Sequence, residues 1–365
     1  NACQVKFSTG RPSLTWREIS TFMGLTDNVN QRVLFTNCND MPSVINDRTS
    51  FHCIRGNDLD RLNKSDFETI LKWLQRGDIE VERKTPLPHQ GDALKDILNA
   101  FEEEDRATAL MACGTGKTLV ALWVTEQMKY KNILVLLPSL TLVRQTLHEW
   151  LKETAWSHLS YLCVCSDPTV AGKELDSIKI NQSDLDFAVT TNTATVKQFL
   201  SQDTGGVKIV FSTYQSSNLI ADAMENNYCF DLGIFDEAHK TAGRKGKKFG
   251  FALKDENLSI KKRLFLTATP RHYNLNQRNK EGDLGLVYSM DDPDVYGNMA
   301  HQLSFAVAAR QNIICNYKVI ISVVTSEQVN KEMLKRGEVL IDGDIVDAQQ
   351  VAHQIAFKEA INKYD

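Results

Sequence analysis

The chain has 365 residues, of which 24% are charged and 42% hydrophobic, a balance typical of a globular protein with two or three domains. Its formal net charge of −4 excludes a uniformly basic nucleic-acid binder, although a local basic groove would be hidden in this average. Its eight cysteines form no CxxC pair, and no apolar run is long enough to span a bilayer. The sequence therefore predicts a cytoplasmic protein without disulfides and without a membrane partner.

The first region, residues 1–83, mixes short apolar runs with one amphipathic helix, which is predicted over residues 66–75 with Ser65 as its N-cap. Near the start, Gln4 and Lys6 lie two residues apart in a short strand and therefore share one face. A polar residue and a lysine at this spacing could bind a metal and polarise a scissile phosphate. An ordinary strand with exposed polar residues explains the same pattern more often.

The second region, residues 84–312, begins at a proline-rich linker and alternates short β-branched runs with helical segments. This alternation predicts a doubly wound α/β fold with a largely parallel sheet, in which ligands bind at the carboxyl ends of the strands. Each polar motif of the region follows such a strand. The predicted strands cover residues 107–111, 133–137, 161–164, 187–189, 208–211, 232–235 and 263–266.

A glycine-rich loop with the sequence MACGTGKT overlaps the end of the first of these strands. Gly114 and Gly116, with Thr115 between them, would let the backbone close around phosphate groups. Lys117 is expected to reach the β- and γ-phosphates, and Thr118 is expected to bind Mg²⁺. The loop lacks the first glycine of the general GxxxxGK[ST] pattern, so that by itself it could be a tight turn.

A second polar motif, Asp-Glu-Ala-His at 236–239, follows a later strand. Asp236 is expected to hold Mg²⁺, Glu237 to orient and deprotonate an attacking water, and His239 to sense the γ-phosphate. Together the two motifs predict a site that binds ATP and Mg²⁺ and hydrolyses the nucleotide.

The order of the motifs resembles superfamily 2 helicases and translocases of the DEAH-box type, in particular the motors of single-chain Type ISP or Type III-like restriction enzymes. The resemblance covers residues 86–310 and implies a RecA-like motor domain, with a second one starting within residues 313–365. It implies that Gln90 reads adenine and that Thr267 and Thr269 couple hydrolysis to movement. The residues implied to hold the nucleic-acid backbone are Arg144, Thr191, Thr213 and Gln215.

Residues 4–73 resemble the amino-terminal nuclease domain of such restriction enzymes, the Mrr-like branch of the PD-(D/E)xK group. The resemblance rests on the Gln-x-Lys strand, on a Trp-Arg-Glu-Ile segment at 16–19 and on the helix that follows. It implies that Gln4 and Lys6 are catalytic, whereas the acidic metal ligand expected before them lies outside the sequence. It also implies methyltransferase and target-recognition domains after residue 365.

These resemblances imply an ATP-dependent DNA translocase or helicase coupled to a Mg²⁺-dependent endonuclease, acting on double-stranded DNA in restriction or phage defence. In the alternative, the amino-terminal region binds DNA without cutting it, and the protein is a DNA-remodelling or repair helicase. An RNA helicase is a third hypothesis, less favoured because RNA helicases seldom carry a nuclease-like fusion.

Overall fold

The computed structural model describes residues 2–29, 32–45, 51–75, 83–165, 187, 189–225, 227–244, 248–272, 287–316, 338–341 and 344–347. The chain divides into two compact units, Asn1–Ala308 and Ala309–Asp365. Within the part of the chain described, no helix combines the length and the apolar character required to cross a bilayer.

The first unit begins with a small parallel sheet that packs against a helix. Strands β1 (Ala2–Lys6), β2 (Arg32–Thr36) and β3 (Phe51–Ile54) lie in the order β1-β2-β3, and both pairs of neighbours run parallel. Helix α1 (Trp16–Leu25) covers one face of this sheet. The buried apolar residues of this small core are Leu14, Ile19, Met23, Leu34, Cys38, Ile45, Phe51 and Cys53.

Two helices follow β3, the single turn α2 (Gly56–Leu59) and α3 (Lys64–Leu74). The predicted N-cap of α3 is wrong, because the Asn63 side chain accepts hydrogen bonds from the N–H groups of Ser65 and Asp66 at 2.8 and 3.2 Å. The Asp66 carboxylate in turn accepts from the Asn63 N–H at 2.8 Å, which completes a capping box. The apolar side chains of α3 remain largely exposed: Phe67, Ile70, Leu71 and Leu74.

An eight-stranded parallel sheet forms the centre of the remainder of this unit, in the order β13-β4-β11-β9-β5-β8-β6-β7. Each of the seven predicted strands overlaps a strand of this sheet, which confirms the α/β fold, although the strand predicted at 187–189 shares only Val189 with β7. Strands β10 (Gly243–Arg244) and β12 (Val287–Tyr288) form a separate antiparallel pair. In chain order the strands of the large sheet are β4 (Arg106–Met111), β5 (Asn132–Leu137), β6 (Leu159–Val164), β7 (Val189–Thr190), β8 (Val207–Thr213), β9 (Phe230–Phe235), β11 (Ile260–Thr267) and β13 (Asn298–Leu303).

Helices cover both faces of the large sheet, as a doubly wound fold requires. Alternate residues of β5 enter two different cores. Ile133 lies in the core that contains side chains of the three helices between residues 88 and 153, and Leu134 lies in the core that contains side chains of the two helices between residues 193 and 223. Because both faces are buried, the central strands are apolar at almost every position. The helices are α4 (Pro88–Glu103), α5 (Lys117–Gln127), α6 (Leu140–Glu153), α7 (Thr193–Ser201), α8 (Ser217–Ala223), α9 (Pro293–Tyr296) and α10 (Phe305–Arg310).

In the second unit the described residues include one antiparallel pair, β14 (Glu338–Ile341) and β15 (Asp344–Asp347). The strand predicted at 317–324 and the helix predicted near 348–355 lie outside the described residues. The boundaries at residues 83 and 312, and a second RecA-like domain over 313–365, therefore stay predictions.

Candidate nucleotide site and nucleic-acid interface

Three polar motifs meet at the carboxyl edge of the large sheet. The glycine-rich loop follows β4, Thr267 ends β11, and Asp236 follows β9. These three strands are adjacent in the order β4-β11-β9. Because parallel strands all end at the same edge, motifs that are more than a hundred residues apart in sequence become neighbours.

The loop backbone takes a left-handed turn at both of its glycines, with φ of 82° at Gly114 and 88° at Gly116. A Cβ atom on Gly116 would lie 2.2 Å from Nε2 of Gln90, so that any other residue there would require the Gln90 side chain to shift. Between them, the buried Thr115 hydroxyl donates to the carbonyl of Ala112 at 2.7 Å and closes the turn. The loop is therefore fixed by its own hydrogen bonds and by α4.

Gln90, in the first turn of α4, connects the linker to this loop. Its amide Nε2 donates to the Thr115 carbonyl at 3.0 Å, and its Oε1 accepts from the N–H of Leu87 at 2.9 Å. His89 places a ring nitrogen 3.2 Å from the same Thr115 carbonyl. Both polar ends of the Gln90 side chain are thus bonded to backbone, which fixes this residue directly beneath the loop.

Lys117 is the first residue of α5, and its side chain is buried under the loop with 9% exposure. Its ammonium group donates to the carbonyl of Met111 at 3.3 Å. The next residue, Thr118, is half-buried, and its carbonyl accepts from the indole N–H of Trp150 at 2.9 Å. The Lys117 contact places its ammonium group beside the turn of the loop, and Thr118 directly follows it in α5.

Asp236 and Glu237 carry the acidic side of the site. Burial, together with the charge of Glu237, raises the pKa of Asp236 to about 6. A hydrogen bond from His239 and the charge of Lys117 together lower the pKa of Glu237, so that this carboxylate is ionised at neutral pH. Glu237 has a φ of 50°, in the left-handed region that a non-glycine residue rarely adopts.

His239 connects this acidic pair to β11. Its Nδ1 lies 3.3 Å from Oε2 of Glu237 and 3.1 Å from the hydroxyl of Thr267. The Thr267 hydroxyl also accepts from the N–H of Thr269 at 3.1 Å. Thr267 is fully buried, whereas Glu237 and His239 are partly exposed and Thr269 is exposed. This chain of contacts connects the Glu237 carboxylate to the loop after β11.

The residues expected to hold nucleic acid lie along the other half of the same edge. Arg144 is on α6 after β5, Thr191 is exposed after β7, and Gln215 is half-buried after β8. Thr213 is only 7% exposed, and its hydroxyl lies 3.0 Å from that of Ser216. The residues expected to bind nucleotide thus lie at the ends of β4, β11 and β9, called the nucleotide half of the edge, and those expected to bind nucleic acid lie at β5-β8-β6-β7, called the nucleic-acid half.

In the amino-terminal sheet, Gln4 and Lys6 share the face that α1 covers. Lys6 Nζ lies 3.2 Å from Oε1 of Glu18 and donates to the Glu18 carbonyl at 3.4 Å. The Oε1 atom of Gln4 is buried and has no hydrogen-bond partner among the described residues. Across the parts of the chain that the structure describes, no group of three or more His, Cys, Asp or Glu side chains is close enough to hold a metal by itself.

Three residues that contact predicted site residues could not be predicted from the sequence. Glu18 pairs with Lys6, Asp58 pairs with Arg144 at 3.3 Å, and Tyr214 donates to the carbonyl of Asp236 at 2.7 Å. Glu18 lies inside the Trp-Arg-Glu-Ile segment, and Tyr214 lies between the predicted contact residues Thr213 and Gln215, but nothing in the spacing indicates their partners. Asp58 lies on α2 and Arg144 on α6, 86 residues further along the chain, so that no local spacing indicates this contact.

The fold and the site define a class of protein. A glycine-rich loop, a DEAH motif and a buried threonine at adjacent ends of one parallel sheet are typical of the RecA-like motor of a superfamily 2 helicase or translocase. Residues 83–272 match the family described as Type III restriction enzyme, res subunit, and the chain belongs to this family.

Individual relatives agree with this class. The chain is 36% identical over 197 residues to a probable helicase of African swine fever virus, which is 53% of this chain and 20% of the helicase. It is 24% identical over 280 residues to a DNA 3'-5' translocase of Sulfurisphaera tokodaii, which is 74% of this chain and 51% of the translocase. The chain thus spans a fifth to a half of these relatives.

Among solved structures, the chain is similar to the ATP-dependent Type ISP restriction-modification enzyme LlaBIII bound to DNA. The TM-score is 0.69 at 26% sequence identity. The match covers 92% of this chain and 23% of LlaBIII. Residues 83–365 make up less than 92% of the chain, so that the match also includes part of residues 1–82.

Proposed function

We propose that this chain is the motor and nuclease portion of an ATP-dependent DNA translocase in restriction or phage defence. The observation that carries the proposal is the assembly of Lys117, Asp236, Glu237, His239 and Thr267 at one edge of one sheet. Membership of a restriction-enzyme family and the similarity to LlaBIII support this assignment.

The residues present fit ATP and Mg²⁺. The positive φ angles of Gly114 and Gly116 open the loop for phosphate binding, and Lys117 supplies a cation beside it. The hydroxyl of Thr118 and the carboxylate of Asp236 are hard oxygen donors of the kind that Mg²⁺ prefers, and one or two such ligands suffice when phosphates supply the others. Bound Mg²⁺ would neutralise charge on the phosphates.

Glu237 is the proposed general base of hydrolysis. Its lowered pKa keeps it ionised, so that it can accept a hydrogen bond, and then a proton, from a water molecule. His239 lies between Glu237 and Thr267 and can pass a change at the nucleotide to the loop that carries Thr269. This contact is the proposed route from hydrolysis to movement.

DNA is the proposed nucleic acid, held by Arg144, Thr191, Thr213 and Gln215 on the nucleic-acid half of the edge. Arginine, hydroxyl and amide groups can grip phosphates and sugars without reading bases, as a translocating motor needs. The names of the relatives describe a DNA translocase and a DNA-bound enzyme, which supports DNA over RNA. Double-stranded DNA is the form that we propose.

The amino-terminal sheet is the proposed nuclease, with Gln4 and Lys6 as catalytic residues. The support is their shared face, the ion pair that orients Lys6, and the extent of the match to LlaBIII. A second motor domain, a methyltransferase and a target-recognition domain are the proposed partners on the same polypeptide.

Plasmid cleavage tests the proposal. With the full-length protein, circular duplex DNA and Mg²⁺, we expect the wild type to cut only when ATP is added. Lys6→Ala is expected to abolish cutting and keep ATP turnover, because only the nuclease residue is lost. Lys117→Ala is expected to abolish both activities, because the motor no longer holds phosphate.

Lys64→Ala and Lys95→Ala, which remove exposed lysines from the same two parts of the chain, serve as matched controls and should behave as wild type. If no protein cuts DNA although DNA stimulates ATP turnover, the amino-terminal region is a clamp and the protein is a remodelling or repair motor. If RNA stimulates turnover better than DNA does, the DNA assignment fails.

The ion pair between Asp58 and Arg144 gives a separate prediction, because it joins the amino-terminal part to a proposed DNA contact. Asp58→Asn keeps an acceptor for the Arg55 N–H but removes the charge that holds Arg144. A partly exposed pair is worth about 1 kcal/mol, so that DNA affinity should rise about fivefold. Fluorescence anisotropy with labelled duplex DNA would measure this change.

Asp60→Asn is the matched control, because Asp60 is two residues away and pairs with Arg11 instead. It should leave DNA affinity unchanged. An equal increase in both variants would point to general charge repulsion and would contradict a specific role for Asp58.

A further inference from the structure

Tyr214 directly follows β8 and lies between Thr213 and Gln215, which we propose to contact nucleic acid; residues 212–216 are called the segment at 212–216 below. Its side chain is fully buried, and its hydroxyl donates to the backbone carbonyl of Asp236 at 2.7 Å. Asp236 follows β9, and β5 lies between β8 and β9 in the sheet. One hydrogen bond therefore spans a whole strand and joins the nucleic-acid half of the edge to the nucleotide half.

The carbonyl that Tyr214 holds belongs to the peptide unit between Asp236 and Glu237. The N–H of the same peptide donates to Oδ1 of Asp236 at 2.9 Å, so that both polar groups of this unit are bonded. Glu237 starts from this peptide with a φ of 50°, a conformation that costs energy in a non-glycine residue and persists only when its surroundings hold it. The Tyr214 hydroxyl is one of the groups that hold it.

The ring of Tyr214 is itself fixed. It packs against Phe235 at 6.3 Å and against Phe249 at 5.7 Å between ring centroids. Its backbone carbonyl accepts from the Ser217 hydroxyl at 2.7 Å, at the start of α8. Burial and the nearby carboxylates raise the pKa of Tyr214 well above its ordinary value, so that the hydroxyl stays a donor.

We propose that Tyr214 is a positioning residue that makes the placement of the Glu237 carboxylate depend on the segment at 212–216. This inference rests on the proposed ATPase and adds its regulation. When DNA binds and shifts this segment, the shift reaches the Asp236–Glu237 peptide through the hydroxyl and sets Glu237 for hydrolysis. DNA binding thereby controls turnover, whereas nucleotide binding by Lys117 on the far side of the site does not depend on Tyr214.

The test uses the full-length protein with Tyr214→Phe, which removes only the hydroxyl and leaves the ring in place. Because small misplacements of a catalytic group cost up to about a hundredfold in rate, DNA-stimulated kcat for ATP should fall about tenfold to a hundredfold. The KM for ATP and the affinity for duplex DNA should stay within about twofold, because neither depends on the hydroxyl.

Tyr228→Phe is the matched control, since its hydroxyl donates to the Asn132 side chain at 3.3 Å at the opposite edge of the sheet. A merely structural role would lower thermal stability in both variants without changing the ratio of DNA-stimulated to basal turnover. If Tyr214→Phe does not fold, Phe249→Leu loosens the ring while keeping the hydroxyl and should lower the same ratio in part.

The outcomes separate the inference from the function on which it rests. Loss of DNA stimulation in Tyr214→Phe with unchanged KM and DNA affinity supports the inference. A kcat and a stimulation ratio equal to those of the wild type overturn it while the ATPase stands. Absence of DNA-stimulated turnover in the wild type itself overturns the proposed function and the inference with it.

Discussion

Glu237→Gln is expected to lower ATP turnover by about a thousandfold while leaving ATP bound, within the range measured for loss of general acid–base groups. Glutamine has the same size as glutamate but cannot accept a proton from water. The left-handed backbone at Glu237 and the hydrogen bond that its N–H donates to Asp236 do not depend on the side-chain charge. The measurement is steady-state phosphate release with saturating duplex DNA.

A cysteine of the phosphate loop provides an independent readout of ATP binding. Cys113 is exposed between Ala112 and Gly114, and alkylation of its thiol should slow when ATP covers the loop. The other cysteines that are not buried, Cys3, Cys229 and Cys315, would be replaced by serine. ATP should protect Cys113 in Glu237→Gln but not in Lys117→Ala.

Glu225→Gln, at an exposed carboxylate that pairs with Lys197, is the control for loss of one negative charge and should turn over ATP normally. A Glu237→Gln protein that keeps more than about a tenth of wild-type turnover would contradict the role of Glu237 as general base.

Gly297→Ala is expected to destabilise the motor domain by about 3 kcal/mol or more, the largest effect that we expect on stability. Gly297 has a φ of 70°, and an added Cβ atom would lie 2.1 Å from the carbonyl oxygen of Arg106. That neighbour is backbone at the start of β4 and cannot rotate away. The measurement is urea-induced unfolding followed by tryptophan fluorescence.

The same substitution should also weaken ATP binding. Gly297 leads into β13, whose last residue Leu303 accepts a hydrogen bond at 2.9 Å from the N–H of Ala112 in the phosphate loop. Moving β13 away from β4 would release this contact. The KM for ATP should therefore rise in any Gly297→Ala protein that still folds.

Gly205→Ala isolates the steric part of this effect. Gly205 also has a positive φ, of 65°, but nothing lies within 4 Å of the position its Cβ would take. It should cost only the backbone strain, about 1 kcal/mol. Equal unfolding midpoints for the two alanine variants would show that the contact with Arg106 does not matter.

The sequence by itself determined the architecture of the motor domain. Strands such as β5 are apolar at almost every position because both faces of the sheet are buried, and that pattern is readable without coordinates. Polar residues such as Asp236 and Thr267 follow the strands directly, and the rule that parallel strands end at one edge brings them together. The meeting of these motifs at one edge of the sheet could be predicted for this reason.

Periodicity failed where burial does not dictate residue type. Strand β13 joins the sheet beside β4, yet five of its six residues are not buried, so that its sequence Asn-Met-Ala-His-Gln-Leu has no apolar pattern to detect. The cap of α3 is Asn63 rather than Ser65, because both residues are good caps and only the backbone path decides which one reaches the free N–H groups.

Only the tertiary structure decided which side chains meet across the sheet. The hydroxyl of Tyr214 reaches the Asp236 carbonyl past an intervening strand, and Arg144 pairs with Asp58 in another part of the chain. Such contacts depend on strand order and on the placement of one sheet beside another, which no local spacing encodes. Local sequence fixes which groups stand at an edge, whereas the three-dimensional order of the strands fixes which of them touch.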